Sequence, residues 1–152
     1  MNRLDAFHYV DAIVISDYNK GFLSNRDCQE ICSYAKSLNI PIFVDSKKKQ
    51  LDCFHNCWLK INEKEHLTSK ALPADSHILI TLGPRGAKYM NKIYPTDSVE
   101  VFDVCGAGDV FLSAFISYHL NSRNTAESIQ YANKCASLSV TKFGTYVITS
   151  DD

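Results

Sequence analysis

No stretch of this chain is apolar for anything near the roughly 20 residues that a membrane-spanning helix needs. The opening Met1-Asn-Arg-Leu-Asp-Ala-Phe-His8 lacks the apolar core of a secretory signal. Net charge is nearly absent as well: 16 basic against 17 acidic side chains leave -1. No basic field calls for nucleic acid, and no acidic tail is present. There is no internal repeat, low-complexity tract or linker, and no G-x-G-x-x-G after the first apolar run, which argues against a dinucleotide-binding Rossmann domain. Six cysteines in 152 residues are too few for a typical disulfide scaffold. They read as reduced thiols in a cytoplasmic protein. Cys53-Phe-His-Asn-Cys57, with Cys28 and Cys32, could supply zinc ligands, but the C-x3-C spacing is not that of a zinc knuckle. Small buried side chains are the alternative.

What is present is the composition of one soluble domain, 45% hydrophobic and 22% charged. Four short, β-rich, nearly continuous apolar runs stand out: 12–16, 41–45, 58–61 and 77–82. That pattern predicts strands of a parallel sheet buried on both faces. Between the first two, Ser24 opens a helix to Asn39 with apolar residues at helical spacing, so the pair forms a βαβ unit. Tyr89-Met90, Ile93-Tyr94 and Val99–Val101 read as a small antiparallel addition, followed by helices near 107–120 and 125–142. The expected fold class is α/β, a mostly parallel sheet with flanking helices. Ligands of such sheets bind at the carboxyl ends of the strands.

Those ends carry the polar chemistry. Asp103-Val-Cys-Gly-Ala-Gly-Asp109 precedes an apolar helix. Amides of Gly106, Ala107 and Gly108 at a helix start form an anion hole. Asp109 beside it is either a helix-start carboxylate or a general base, which removes the proton of a hydroxyl acceptor while the amides hold the charge of a transferring phosphoryl group. Asn62-x-x-Glu65 is either a helix-capping pair or a site for hydrated Mg2+. Thr81-x-Gly83-x-x-Gly86 is either a hairpin turn or a loop that reaches a nucleotide phosphate. Lys20 and Lys47 follow strand ends and could meet phosphate; in Lys47-Lys48-Lys49 only the first is singled out.

Together these pieces resemble the ribokinase-like (phosphofructokinase B type) carbohydrate kinases. Asp103–Asp109 is similar to that family's C-terminal signature, and Asn62-x-x-Glu65, Thr81-x-Gly83-x-x-Gly86 and Lys142-Phe-Gly144-Thr145 follow in the family's order. Ser16-Asp17-Tyr-Asn-Lys20-Gly21 and Val44-Asp45-Ser-Lys47 look most like heptose 7-phosphate kinase domains, although Ser46 stands where a proline is common. The resemblance implies ATP, Mg2+ and a K+ site as cofactors. It makes Asp109 the catalytic base and Gly106, Ala107 and Gly108 the anion hole. Asn62 and Glu65 become the magnesium-associated pair, and Thr81, Gly83, Gly86 and Lys47 the phosphate contacts. Asn133 and Gly144 fall near the adenine, and Asp103 at a monovalent cation. Asp17 and Lys20, with Asp109, fall on the sugar side.

Family members are much longer than this chain. Residues 1–152 are therefore expected to form a single domain, the C-terminal nucleotide-binding half of such a kinase, with the N-terminal half and its lid missing. One short helix should precede the first strand, and an uncovered sheet edge should favour homo-oligomers. The leading expectation is ATP-dependent phosphorylation of a sugar or sugar phosphate. The alternative is a truncated, non-catalytic nucleotide-binding or dimerisation module.

Overall fold

A computed structural model describes residues 9–149. The short helix expected ahead of the first strand falls on residues outside this range. Strands and helices alternate as β1 (Ile13–Asp17), α1 (Asn25–Ser37), β2 (Ile42–Ser46), β3 (Trp58–Asn62), α2 (Glu63–Thr68), β4 (His77–Thr81), β5 (Ala87–Tyr89), β6 (Lys92–Tyr94), α3 (Ala107–Ser122) and α4 (Thr125–Val140). The fold is α/β. Its six strands are hydrogen-bonded in chain order in a mostly parallel sheet with flanking helices. The chain divides into two compact units, one through Leu79 and one from Ile80.

In the first unit the register is parallel, with Val14 opposite Phe43 and Val44 opposite Leu59. Every residue of β2 is buried, as its unbroken apolar run requires. α1 starts where Ser24 predicts it: the Ser24 hydroxyl accepts from the Asp27 amide and Asp27 reaches back to the Ser24 amide, a capping box. Cys28, Cys32 and Ala35 face the core from α1. Cys53 and Cys57 are buried too, and Cys105 is the exposed cysteine; all six are free thiols. Burial pushes the Cys57 thiol up to about 12, so it stays protonated and packs as a small apolar group.

In the second unit β5 and β6 form a three-residue antiparallel pair, Ala87 opposite Tyr94. Two details differ from expectation. Met90 is the turn between them, at φ 52, and not a strand residue. Val99–Val101 is not a strand, and the chain from 95 to 100 has no regular structure. α3 and α4 pack along each other and bury Phe111, Phe115, Ile129 and Ala132.

Candidate functional site

Parallel register builds the polar cluster of the first unit. It sets Asp45 of β2 opposite Lys60 of β3, and Asp17 of β1 opposite Ser46. The Lys60 ammonium donates to Asp45 Oδ2 at 2.6 Å, with the two side chains 4% and 7% exposed. Asp17 is buried as well. Its Oδ1 accepts from the Asn19 amide at 2.8 Å, and its Oδ2 accepts from the Ser46 hydroxyl at 3.2 Å and lies 3.5 Å from the Lys48 ammonium. Lys48 is anchored in turn on the Leu23 carbonyl at 2.8 Å. Lys20 stays exposed on the following loop.

The capping reading of Asn62 and Glu65 is the one the geometry shows. Asn62 Oδ1 accepts from the Glu65 amide and Glu65 Oε2 accepts from the Asn62 amide, each at 2.8 Å, so the pair is a capping box that starts α2. The other Glu65 oxygen accepts from Lys47 Nζ at 2.6 Å, and Lys47 also lies 3.4 Å from Asp45. Burial pulls the Lys47 ammonium down, but the Glu65 hydrogen bond and the two carboxylate charges outweigh it and raise its pKa above the usual lysine value. The oxygens of Asn62 and Glu65 thus already have partners. Among the described residues no group of three or more His, Cys, Asp or Glu side chains could hold a metal.

The second unit holds a cavity of about 310 Å³, the size of a small-ligand pocket. Thr81, Gly83, Gly86, Ala107, Gly108 and Asn133, all singled out from the sequence, line it together. Gly106, Asp109 and Gly144 are not lining residues. The apolar wall of Val99, Val101, Val104, Phe111 and Val140 was missed. Gly86 sits at φ 86 in a 3-10 turn closed by its amide on the Gly83 carbonyl. A Cβ there would come within 2.1 Å of the Tyr94 carbonyl oxygen. Asn133 is 5% exposed and donates its amide to the Tyr94 and Pro95 carbonyls, at 2.8 and 3.3 Å. Thr96 donates to the Asn133 carbonyl at 3.3 Å and shares a short hydrogen bond with Ser137. Asn133 therefore fixes the backbone that leads into Thr96, a lining residue of the cavity.

At the start of α3, Gly106 caps in the left-handed region at φ 76. Its carbonyl accepts from the Asp109 and Val110 amides at 3.0 and 2.9 Å. The Ala107 amide closes a turn onto Val104 at 3.3 Å. Of the three amides expected to form the hole, those of Gly106 and Gly108 have no partner among the described residues. Asp109 is exposed in the first turn, and no described group donates to its carboxylate. Asp103 accepts from the Cys105 amide at 2.9 Å and the Gly144 amide at 3.2 Å, tying the two loops together. A carboxylate has about four lone-pair sites, so two bonds leave Asp103 capacity for a cation.

The fold is that of sugar kinases already solved. Ribokinase of Arabidopsis thaliana, complexed with ribose and ATP, superposes with a TM-score of 0.72 at 18% identity, over 93% of this chain and 53% of that one. Phosphofructokinase-2 of Escherichia coli, in complex with potassium, gives 0.74 at 20% identity, over 91% and 53%. Residues 2–151 match the model of the pfkB family carbohydrate kinases, and the chain belongs to that family. Among sequence relatives, the bifunctional protein HldE of Campylobacter jejuni (strain RM1221) is 31% identical, over 93% of this chain and 35% of its own length. The chain thus spans about a third of that relative and about half of the solved kinases.

Proposed function

We propose that this chain is the ATP-binding part, carrying the catalytic base, of a kinase that phosphorylates a hydroxyl of a sugar or sugar phosphate, of the heptose 7-phosphate kind. The observation that carries this reading is the cavity that gathers Thr81, Gly83, Gly86, Gly108 and Asn133, with the unpaired Gly106 and Gly108 amides and the unpartnered Asp109 carboxylate at the adjoining helix start. A helix start with free amides holds anionic phosphate. A carboxylate with no internal partner is available to take the acceptor's proton. The ATP and ribose of the Arabidopsis ribokinase complex support the donor and acceptor classes.

In this reading Lys47 meets phosphate, and Asp17 and Lys20 serve the sugar side. Gly144 belongs to the nucleotide site and Asp103 to a potassium site, which the potassium complex of the phosphofructokinase supports. Asn62 and Glu65 hold the water shell of a magnesium ion, whose chemistry is to neutralise charge on the phosphates. Among the described residues no helix is long and apolar enough to cross a membrane. A cytoplasmic location and self-association belong to the same reading. Positioning of the acceptor can supply several kcal/mol of a barrier, so the isolated chain is expected to turn over little sugar.

The test uses an active assembly that contains this chain. Asp109→Asn keeps size and helix-start hydrogen bonding but removes the base. Turnover should fall roughly 10²–10⁴-fold while nucleotide Kd barely moves. A variant within about threefold of wild-type kcat rules out the base role, because general-base catalysis is worth far more. An assembly that binds nucleotide but never phosphorylates a sugar would favour the non-catalytic module.

A further inference from the structure

The cavity of the second unit is walled largely by the apolar side chains of Val99, Val101, Val104, Phe111 and Val140. Among its lining residues Asn133 is the polar one that is buried, at 5% exposure. Its amide nitrogen donates to the Tyr94 and Pro95 carbonyls at 2.8 and 3.3 Å. Those bonds fix which way the amide faces, because the reverse orientation would set its oxygen against two carbonyl oxygens. Asn133 Oδ1 has no partner among the described residues, yet it is not sealed away from solvent. Asn133 thus presents to an apolar cavity an acceptor with its donors already spent. A ligand that dries the cavity without bringing a donor would leave that acceptor unpaired, at a cost in affinity.

We infer, on the nucleotide reading of this cavity, that Asn133 selects the base: its Oδ1 accepts a hydrogen bond from the exocyclic amino group of adenine. An aminopurine carries an N–H donor on that edge, where an oxopurine carries an oxygen acceptor. The apolar wall takes the faces of the ring without regard to its substituents. The unpaired amides of Gly106 and Gly108 suit the anionic end of the nucleotide. Phosphates and base are then read by separate groups, and preference for the amino group rests on one side chain.

The experiment is calorimetric titration of the chain with ATP and with purine riboside triphosphate, which differs from ATP only in lacking the amino group. Wild-type chain should bind ATP roughly three- to tenfold more tightly, the range of one hydrogen bond. In Asn133→Ala, shown to be folded by thermal unfolding, that preference should fall below about twofold, because the acceptor is gone. Comparing two nucleotides on one variant cancels any loosening of the backbone at 94–96. Where the variant does not fold, the side-chain carbonyl resonance of Asn133 in wild-type chain decides. ATP should move it, and purine riboside triphosphate should move it much less. Equal affinities in wild type, an equal preference in both backgrounds, or the same carbonyl shift with both nucleotides overturns the assignment while leaving the nucleotide site standing. If neither nucleotide binds, the nucleotide reading falls and the assignment falls with it.

Discussion

Gly86 shows how a residue can be legible in the sequence for one reason and fixed in the structure by another. The T-x-G-x-x-G spacing reads as a hairpin turn or a phosphate loop, and the family resemblance implies the second. In the fold its hydrogen stands against the Tyr94–Thr96 main chain, and its φ of 86 is strained for any side chain. Gly86→Ala should therefore destabilise by more than about 2 kcal/mol, through clash and backbone strain together. Gly83→Ala has nothing within 4 Å and carries only the strain of φ 59, about 1 kcal/mol. Denaturant unfolding compares them; equal losses would show that the close approach is not what holds Gly86. Asn133 was placed near a ligand by resemblance, yet no sequence pattern told that its amide clamps two carbonyls 38 and 39 positions earlier. Lys60 was passed over. A lysine inside the buried run Trp58-Leu-Lys-Ile-Asn62 was the available signal, since a buried lysine needs a partner. Finding that partner required the parallel register.

At the scale of elements, β2 was legible because burial on both faces leaves a continuous apolar run, and α1 because its capping box and apolar spacing agree. The short pair β5 and β6 was less so. Three-residue strands carry too few alternations to fix a boundary, and the valines at 99 and 101 serve the cavity wall instead of a ladder. β1 is the first strand in the order, so its outer edge has no described strand beside it. Val14 on it is 55% exposed. An uncovered edge with apolar side chains favours association. Wild-type chain should sediment as more than a monomer at high concentration, and Val14→Lys should shift it toward monomer. A wild-type chain that stays monomeric would count against the edge as an interface.

For the whole molecule, a net charge of -1 offers no general attraction for a polyanion. In the proposed function, affinity for nucleotide would come from local devices, chiefly the cavity of the second unit and the free amides beside it. Family membership was legible because its motifs are short, local and ordered along the chain; the apolar lining was not, because it is assembled from a segment without regular structure. The most direct test of the account is titration of the purified chain with ATP by calorimetry. It predicts saturable one-to-one binding with Kd below about 1 mM, about 4 kcal/mol of binding free energy. An absence of saturable binding at ATP concentrations several times higher would contradict it.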